Sequence, residues 1–418
     1  MVNYKIRVKK SYYGTLSRRS LSFKRFSALP LSSCDSHSKQ CMNIGIVCYP
    51  TFGGSGVVAT ELAKILAQQG HRLHILSYTR PARLEERNTN IFYHEVSINS
   101  YPLFEYPPYA LALASQMVNL IEFEQLDLLH VHYALPHATS AYLARQIMAE
   151  RGLNVPIVTT LHGTDITLVG KDPSYKHVVE FSIDKSDGVT AVSEYLRRET
   201  YENFEIKQEI KVIPNFIDLE RFKATDQTEL KKELAPSGEK IIVHVSNFRK
   251  VKRVPVVIQI FAKILEKGIS AKLVLAGDGP DRQVAEQQCR SLGICEHVHF
   301  MGKWERVEDI LSIADLFLIP SGSETFGLAA LEAMSCSVPV ISSDIGGLPE
   351  VNIHGETGYA CPLDDVNCMA DYAVQVLSTP SLHATLSSNA RERAKLFNQD
   401  QVVRQYEDFY EQVRLRSA

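Results

Sequence analysis

Several features that mark membrane proteins, nucleic-acid binders and disulfide-rich secreted domains are missing from this sequence. No apolar run approaches the roughly 18 residues that suggest a membrane-spanning helix. The formal net charge is only −3, which gives no sign of a nucleic-acid binder. The eight cysteines form no Cys-x-x-Cys pair and show no zinc spacing with histidines. We therefore expect scattered thiols in a reducing compartment, with the cytoplasm as the default location.

The first 41 residues differ in composition from everything that follows. They contain nine Lys or Arg against a single acid, Asp35, together with many serines. Such a leader is either a transit peptide or translated sequence upstream of the true start. Met42 directly precedes a complete apolar strand, so we expect Met42 to be the functional start and residues 1–41 to be disordered.

From Met42 onward, short apolar runs alternate with loops and amphipathic segments. With 418 residues, the chain is long enough for two domains. The alternation predicts an α/β fold with two doubly wound, Rossmann-like domains facing a cleft. We expect a first domain at residues 42–218 and a second at residues 219–395. A final helix at residues 396–418 is expected to pack back on the first domain.

A glycine-rich loop follows the first predicted strand, which covers residues 44–49. Gly54, Gly56 and Ala59 match the spacing of the dinucleotide fingerprint. However, the glycines start beyond the strand's end, and the second strand is followed by Arg80 with no acid for a ribose hydroxyl. A nicotinamide-dependent oxidoreductase therefore stays open only as an alternative.

Two histidine-containing clusters follow predicted strands of the first domain. Residues 130–138 contain three histidines, and residues 162–165 read His-Gly-Thr-Asp. A histidine at a strand end is more often structural than catalytic. Two clusters at the carboxyl edge of one parallel sheet nevertheless favour a binding site. The chain contains no Asp-x-Asp pair for a metal-bound nucleotide, so we predict no metal.

The second domain begins with an uninterrupted apolar strand and a cationic loop. After Ser246 and Asn247, residues 249–253 contain four Lys or Arg. Charge runs are usually solvated, but cations at a strand's carboxyl edge suit a pyrophosphate. A later strand leads through Glu324 and Gly327 into a helix that contains Glu332. Backbone N–H groups at that helix start favour an anion, and the two carboxylates, with Glu332 expected about two turns into the helix, can face one bound molecule.

In this setting, residues 323–332 resemble the Glu-x7-Glu signature of family 4 glycosyltransferases of GT-B architecture. The resemblance implies that Glu332 holds the ribose hydroxyls of a sugar nucleotide and that Glu324 lies beside the donor sugar. Lys252 matches the family's pyrophosphate lysine. Asn247 stands where the broader family has an arginine, so Arg249 or Arg253 is expected to compensate.

Four blocks, residues 50–62, 130–138, 159–167 and 246–253, are similar to one branch of this family. Its members transfer N-acetylglucosamine from UDP-N-acetylglucosamine to L-malate, the first step of bacillithiol biosynthesis. The resemblance implies a retaining reaction without a protein nucleophile, two small-molecule substrates and no cofactor; a homo-oligomer is allowed. A sibling transferase acting on inositol phosphate or a glycan stays open, and an epimerase of the same architecture is disfavoured.

The resemblance also implies roles for individual residues. The catalytic candidates are Glu324, His162, Lys252 and Arg249. The donor-binding candidates are Gly54, Ser246, Asn247, Arg253, Gly277, Phe326, Gly327, Leu328 and Glu332. The acceptor-binding candidates are Gly53, Ser55, Tyr133, Thr164 and Lys176.

Overall fold

A computed structural model describes residues 41–51, 53–81, 83–84, 89–98 and 106–417. The expected leader at residues 1–41 lies outside the described residues except for Cys41. The predicted fold class is confirmed: two parallel sheets, each covered by helices, follow one another along the chain.

The first sheet has seven strands among the described residues, in the order β3-β2-β1-β4-β5-β6-β7, and every pair is parallel. Its central strands are buried along their length, as parallel sheets covered on both faces require. The strands are β1 (Asn43–Val47), β2 (Arg72–Ser77), β3 (Ile91–Glu95), β4 (Leu128–His132), β5 (Ile157–Leu161), β6 (Gly188–Ala191) and β7 (Ile210–Val212). The helices that follow its strands are α1 (Gly54–Gln68), α2 (Tyr109–Glu124), α3 (Thr139–Ala149), α4 (Pro173–Asp184) and α5 (Glu194–Asn203).

Helix α1 begins at Gly54, inside the glycine-rich loop. Gly53 is its extended N-cap residue. A Cβ atom on Gly56 would lie 2.6 Å from the carbonyl oxygens of Tyr49 and Thr51. The glycine therefore lets the first turn of the helix pack directly against the end of the strand region.

The second sheet has six parallel strands in the described part of the chain, in the order β10-β9-β8-β11-β12-β13. The strands are β8 (Lys240–Val245), β9 (Ala271–Ala276), β10 (Val298–Gly302), β11 (Leu316–Ile319), β12 (Val340–Ser343) and β13 (Gly358–Cys361). The helices of this half are α6 (Thr228–Leu234), α7 (Val254–Glu266), α8 (Arg282–Ser291), α9 (Val307–Ser312), α10 (Leu328–Ser335), α11 (Leu348–Val351), α12 (Val366–Ser378) and α13 (Pro380–Lys395).

The last helix, α14 (Gln399–Ser417), returns to the first sheet. Its buried stripe joins the core cluster that contains residues of β1, β2 and α1. The stripe consists of Val402, Val403, Tyr406, Phe409, Tyr410 and Val413. This return was part of the predicted fold. None of the described helices is both long enough and apolar enough to span a membrane.

The expectation that all cysteines are scattered thiols is wrong for one pair. Cys361 ends β13, Cys368 lies in the first turn of α12, and the two form a disulfide with a Cα–Cα distance of 6.0 Å. The turn between them brings the two residues together, and this could not be inferred from a spacing of seven. Cys48 and Cys336 are buried free thiols.

Candidate active site

Two histidines of β4 and one that follows β5 lie side by side. The ring centroids of His130 and His132 are 4.4 Å apart, and those of His132 and His162 are 5.0 Å apart. The His132 Nδ1 atom lies 2.7 Å from His162 Nε2, and the His130 Nε2 atom lies 2.7 Å from Thr160 Oγ1. Tyr410 of α14 is hydrogen-bonded to the other nitrogen of His130 at 2.7 Å. The two sequence clusters therefore form one network at the carboxyl edge of the first sheet, and we call this edge the histidine rim.

The imidazoles of the histidine rim are uncharged at neutral pH. Burial lowers the pKa of His130 and of His162 to about 3 and that of His137 to about 4. The pKa of His132 is also well below its ordinary value, first because of burial and then because of the neighbouring histidines. Neutral imidazoles can donate and accept hydrogen bonds without adding positive charge.

Asp165 ties the loops after β4 and β5 together. Its carboxylate accepts hydrogen bonds from the backbone N–H groups of Ala134 and Gly163, both at 2.9 Å. Burial raises the pKa of Asp165, and these backbone bonds oppose that shift. The connection fixes the position of Gly163, whose φ of +117° suits glycine.

Three of the predicted acceptor residues meet beside His162. The Tyr133 hydroxyl donates to Ser55 Oγ at 2.7 Å and lies near Thr164. The rings of Tyr133 and His162 have centroids 5.2 Å apart. Ser55 lies in the first turn of α1, directly after Gly53 and Gly54. Hydroxyl groups and free N–H groups of a helix start therefore face the same space.

Lys176 is on α4. Its side chain is 45% exposed, and its ammonium group lies 3.7 Å from Glu180, one turn along the same helix. This placement gives no support to an acceptor-binding role.

An aromatic cluster adjoins the acceptor residues and was missed from the sequence. The Tyr49 ring lies 5.3 Å from that of Tyr133 and 4.6 Å from that of His137. Tyr78, at the end of β2, packs edge-on against Tyr109 at 5.9 Å. Tyr109 is the first residue of α2. The missed signal was the position of Tyr49 and Tyr78 just beyond strand ends.

On the second sheet, the backbone of the loop after β8 packs closely against the backbone of the loop after β9. The Ser246 hydroxyl is hydrogen-bonded to His244 at 2.8 Å and accepts from the Phe248 N–H at 3.3 Å. A Cβ atom on Gly277 would lie 1.7 Å from the Ser246 carbonyl oxygen, so only glycine fits there. Asn247 is exposed at the top of this loop.

Lys252 and Glu324, which are 72 residues apart in sequence, form an ion pair. The Ser321 hydroxyl donates to Glu324 Oε1 at 3.1 Å, and the Gly347 N–H donates to the Glu324 carbonyl at 2.9 Å. These contacts hold the carboxylate at the edge of the second sheet, which we call the charged rim. Arg249 is exposed on this rim.

Arg253 lies on the same rim and forms an ion pair with Asp364. Its aliphatic chain runs past Gly322, where an added Cβ would lie 3.4 Å from the arginine Cδ. The Arg253 side chain therefore lies against the loop that follows β11.

Helix α10 corrects one expectation and narrows another. Glu332 is its fifth residue, so it lies just over one turn into the helix rather than two. The Phe326 ring is buried against Phe397, with centroids 5.5 Å apart. Only the backbone of Phe326 can therefore contact a ligand. Gly327 caps the helix with a φ of +99°, and Leu328 begins it.

Glu332 is buried, and burial raises its pKa to about 7, whereas the nearby Arg83 lowers it. The Arg83 guanidinium lies 3.8 Å from the Glu332 carboxylate. Arg83 belongs to the first half of the chain and was not identified as a site residue from the sequence.

The two rims are in direct contact. The Thr325 hydroxyl donates to the His162 carbonyl at 2.8 Å, and the Ser193 hydroxyl donates to the Thr325 carbonyl at 2.5 Å. Glu350 accepts from the N–H groups of Glu194 and Tyr195 at the start of α5, at 3.0 and 2.7 Å. The residue after Glu324 is thus bonded to His162, and the site lies between the two sheets. In the described residues, no group of three or more His, Cys, Asp or Glu is placed to hold a metal ion.

Comparisons with known proteins agree with this architecture. Residues 52–221 match the model described as Glycosyltransferase Family 4, and residues 225–393 match that described as Glycosyl transferases group 1. The N-acetyl-alpha-D-glucosaminyl L-malate synthase of Bacillus anthracis is 49% identical over 371 residues, which cover 88% of this chain and 96% of that protein.

Two solved structures share the fold at low sequence identity. Sucrose-phosphate synthase from Thermosynechococcus elongatus aligns with a TM-score of 0.76 at 21% identity, over 90% of this chain and all of that one. Anabaena HepE in complex with UDP-glucose aligns with a TM-score of 0.74 at 21% identity, over 89% of this chain and all of that one. The chain belongs to the family 4 glycosyltransferases and has their GT-B fold.

Proposed function

We propose that this glycosyltransferase moves N-acetylglucosamine from UDP-N-acetylglucosamine to the hydroxyl of L-malate, with retention of the α configuration, as the first step of bacillithiol biosynthesis. The observation that carries the proposal is the meeting of the Glu324–Lys252 pair with the His162 loop, in a chain that is 49% identical to the N-acetyl-alpha-D-glucosaminyl L-malate synthase of Bacillus anthracis. The enzyme would act in the cytoplasm without a metal or cofactor.

The charged rim suits a nucleotide diphosphate. Lys252 and either Arg249 or Arg253 would bind the pyrophosphate, together with backbone N–H groups at the start of α10. Glu332 would accept hydrogen bonds from the ribose hydroxyls. Glu324 and His162 would contact the sugar, with His162 as an uncharged hydrogen-bonding group.

The histidine rim suits the acceptor. The hydroxyl groups of Ser55, Tyr133 and Thr164 can bond to malate's carboxylates. The N–H groups of Gly54 and Ser55 at the start of α1 add the positive end of a 15-residue helix. Gly53 allows the close approach that such contacts require. Lys176 has no part in this arrangement.

In the proposed step, the malate hydroxyl attacks the anomeric carbon from the face that UDP leaves. The bond between that carbon and the β-phosphate oxygen breaks, and the bond to the malate oxygen forms. The proton of the hydroxyl passes to the departing phosphate oxygen, so no protein nucleophile is needed. Lys252 and the backbone N–H groups stabilise the negative charge that develops on UDP. Each 1.4 kcal/mol of such stabilisation gives about a tenfold gain in rate.

The test is UDP release from UDP-N-acetylglucosamine, with and without L-malate, by protein starting at Met42. Malate-dependent release is expected, with an α-linked product by NMR, and Glu324→Ala or Lys252→Ala should abolish it. Lys232→Ala is the matched control, since its ammonium group pairs with Glu229 on exposed α6. Binding of the sugar nucleotide without malate-dependent release of UDP would show that L-malate is not the acceptor and would point to a sibling transferase.

A further inference from the structure

Arg83 reaches from the first half of the chain towards a carboxylate of the second. It lies in the connection between β2 and β3, and its guanidinium is 3.7 Å from Glu61 of α1 and 3.8 Å from Glu332 of α10. Both distances exceed the 2.7–3.2 Å of a hydrogen bond. The cation therefore lies between two carboxylates, close enough for strong electrostatic attraction to each.

The surroundings make this charge important for Glu332. The carboxylate adjoins a cavity between α1, α10 and the segment that joins the two sheets. The lining includes the apolar side chains Val57, Val58 and Leu328. Charges interact more strongly there than in water, because few solvent molecules can screen them.

The other charged groups that face Glu332 do not replace Arg83. Arg221 is the second nearby cation, but its guanidinium pairs with Glu308 at 3.3 Å. Glu308 itself opposes ionisation of Glu332. Asp218 also lines the cavity and adds negative charge. On the first domain, Glu61 is shared between Arg83 and Lys64, whose ammonium group lies 2.7 Å away.

We propose that Arg83 is a donor-positioning residue that keeps Glu332 ionised and oriented for the two ribose hydroxyls of a uridine nucleotide. This rests on the proposed function, which gives Glu332 its ribose-binding role. An ionised carboxylate accepts hydrogen bonds at both oxygens, whereas the neutral acid must use one oxygen as a donor. Because Arg83 belongs to the opposite domain, it also makes donor binding depend on the approach of the two halves.

The electrostatics agree with this geometry. Burial raises the pKa of Glu332 to about 7, and Arg83 is the largest influence that lowers it. The binding form is the carboxylate, so uridine affinity should increase as the pH rises through this pKa. Removal of the guanidinium would move that increase to higher pH.

The experiment is calorimetric titration of the full chain with uridine and with UDP, at pH 6.0, 7.0 and 8.5. Arg83→Met is expected to weaken both ligands about fivefold at pH 7.0 and about tenfold at pH 6.0, the loss of ionised carboxylate that a rise of about one unit from a pKa near 7 produces. The loss should shrink at pH 8.5. In a Glu332→Gln background, Arg83→Met should add less than a twofold loss. Arg72→Met is the matched control: that guanidinium lies on β2, is 51% exposed and pairs with Glu124.

Three outcomes would overturn the inference. A loss for UDP but not for uridine would assign Arg83 to the phosphates. An equal loss at every pH, also in the Glu332→Gln background, would indicate a purely structural role. Unchanged binding would show that the Arg83 guanidinium does not contribute to the binding of uridine or UDP. If the unsubstituted protein bound neither uridine nor UDP, the proposed function itself would be wrong. That result differs from the three outcomes above, in which the unsubstituted protein binds and only the role proposed for Arg83 is wrong.

Discussion

The two rims of the site differ in the burial and the charge of their polar side chains. On the histidine rim, His130, His132 and His162 are buried, neutral and hydrogen-bonded to one another or to nearby hydroxyls. On the charged rim, Lys252 and Glu324 form an ion pair that solvent can reach. The first arrangement fixes the shape of a surface, because neutral networks tolerate burial. The second keeps charges available for an ionic ligand, because full burial of a charge would cost more than its pairing returns.

If the histidine rim is neutral, acid should destabilise the first domain strongly. The depressed pKa values, about 3 for His130 and His162 and about 4 for His137, mean that the unfolded chain binds protons that the folded chain does not. Stability is therefore full above the unfolded pKa of about 6.5 and falls as the pH drops towards the folded values. Between pH 7.0 and 5.5 we expect a loss of about 1 kcal/mol for each buried histidine. Hydrogen exchange of β4 and β5 peptides, corrected for intrinsic rates, measures this loss.

His137→Asn provides the control for the acid experiment. The variant should be less stable at pH 7.0 but should lose less stability between pH 7.0 and 5.5, because one depressed pKa has been removed. An unchanged pH dependence would mean that the histidine rim is not neutral in the folded protein.

Gly163→Ala should disrupt the contact between the rims. Its Cβ atom would lie 2.0 Å from Thr325 Cγ2, so the loop that carries Glu324 could not dock. We expect kcat/KM to fall about 100-fold, equivalent to about 2.7 kcal/mol of barrier. Steady-state UDP release measures the effect.

Two variants separate the clash from backbone strain. Gly152→Ala also places alanine at a positive φ, +76°, but its Cβ would meet nothing within 4 Å, so activity should change less than twofold. Thr325→Ser in the Gly163→Ala background removes Cγ2 but keeps the hydroxyl that donates to His162. If it fails to restore activity, the clash is not the cause.

The sequence predicted the features of this molecule that depend on local patterns better than those that depend on contacts between distant segments. Both sheets, the returning helix and the location of Glu324, Lys252 and His162 at strand ends depend on local patterns, which sequence displays directly. The Arg83–Glu332 contact joins distant segments, which no local spacing encodes. The positions of Tyr49 and Tyr78 beyond strand ends are visible in the sequence, but the contact of their rings, with centroids 6.4 Å apart, is not. For Phe326, the sequence motif could not show that the ring packs in the core, which leaves only its backbone for a donor contact.

Tyr410→Phe should have a smaller effect and act on stability alone. The change removes the hydroxyl bonded to His130 and leaves a buried imidazole nitrogen without this partner. We expect a loss of about 1–2 kcal/mol in the free energy of unfolding, measured by urea denaturation, with malate-dependent turnover within twofold. Tyr201→Phe removes a hydroxyl that donates to the Gln208 carbonyl and accepts from the Ile210 N–H. Because Tyr201 is exposed, water can replace these bonds, and this variant should cost less. Equal losses would argue that the buried histidine network adds nothing.

Lys176→Ala is expected to have the smallest effect and tests where the acceptor's negative charge is met. The Lys176 ammonium group faces Glu180 on an exposed helix, and surface pairs of this kind contribute at most about 1 kcal/mol. Its removal should change the KM for malate less than twofold. Ser55→Ala should raise that KM about tenfold, the effect of a lost hydrogen bond to a charged group. A tenfold rise in KM for Lys176→Ala with little change for Ser55→Ala would place the carboxylate-binding site at α4 instead of the start of α1. The acceptor would then be bound by a cation, as we propose for the donor at the charged rim.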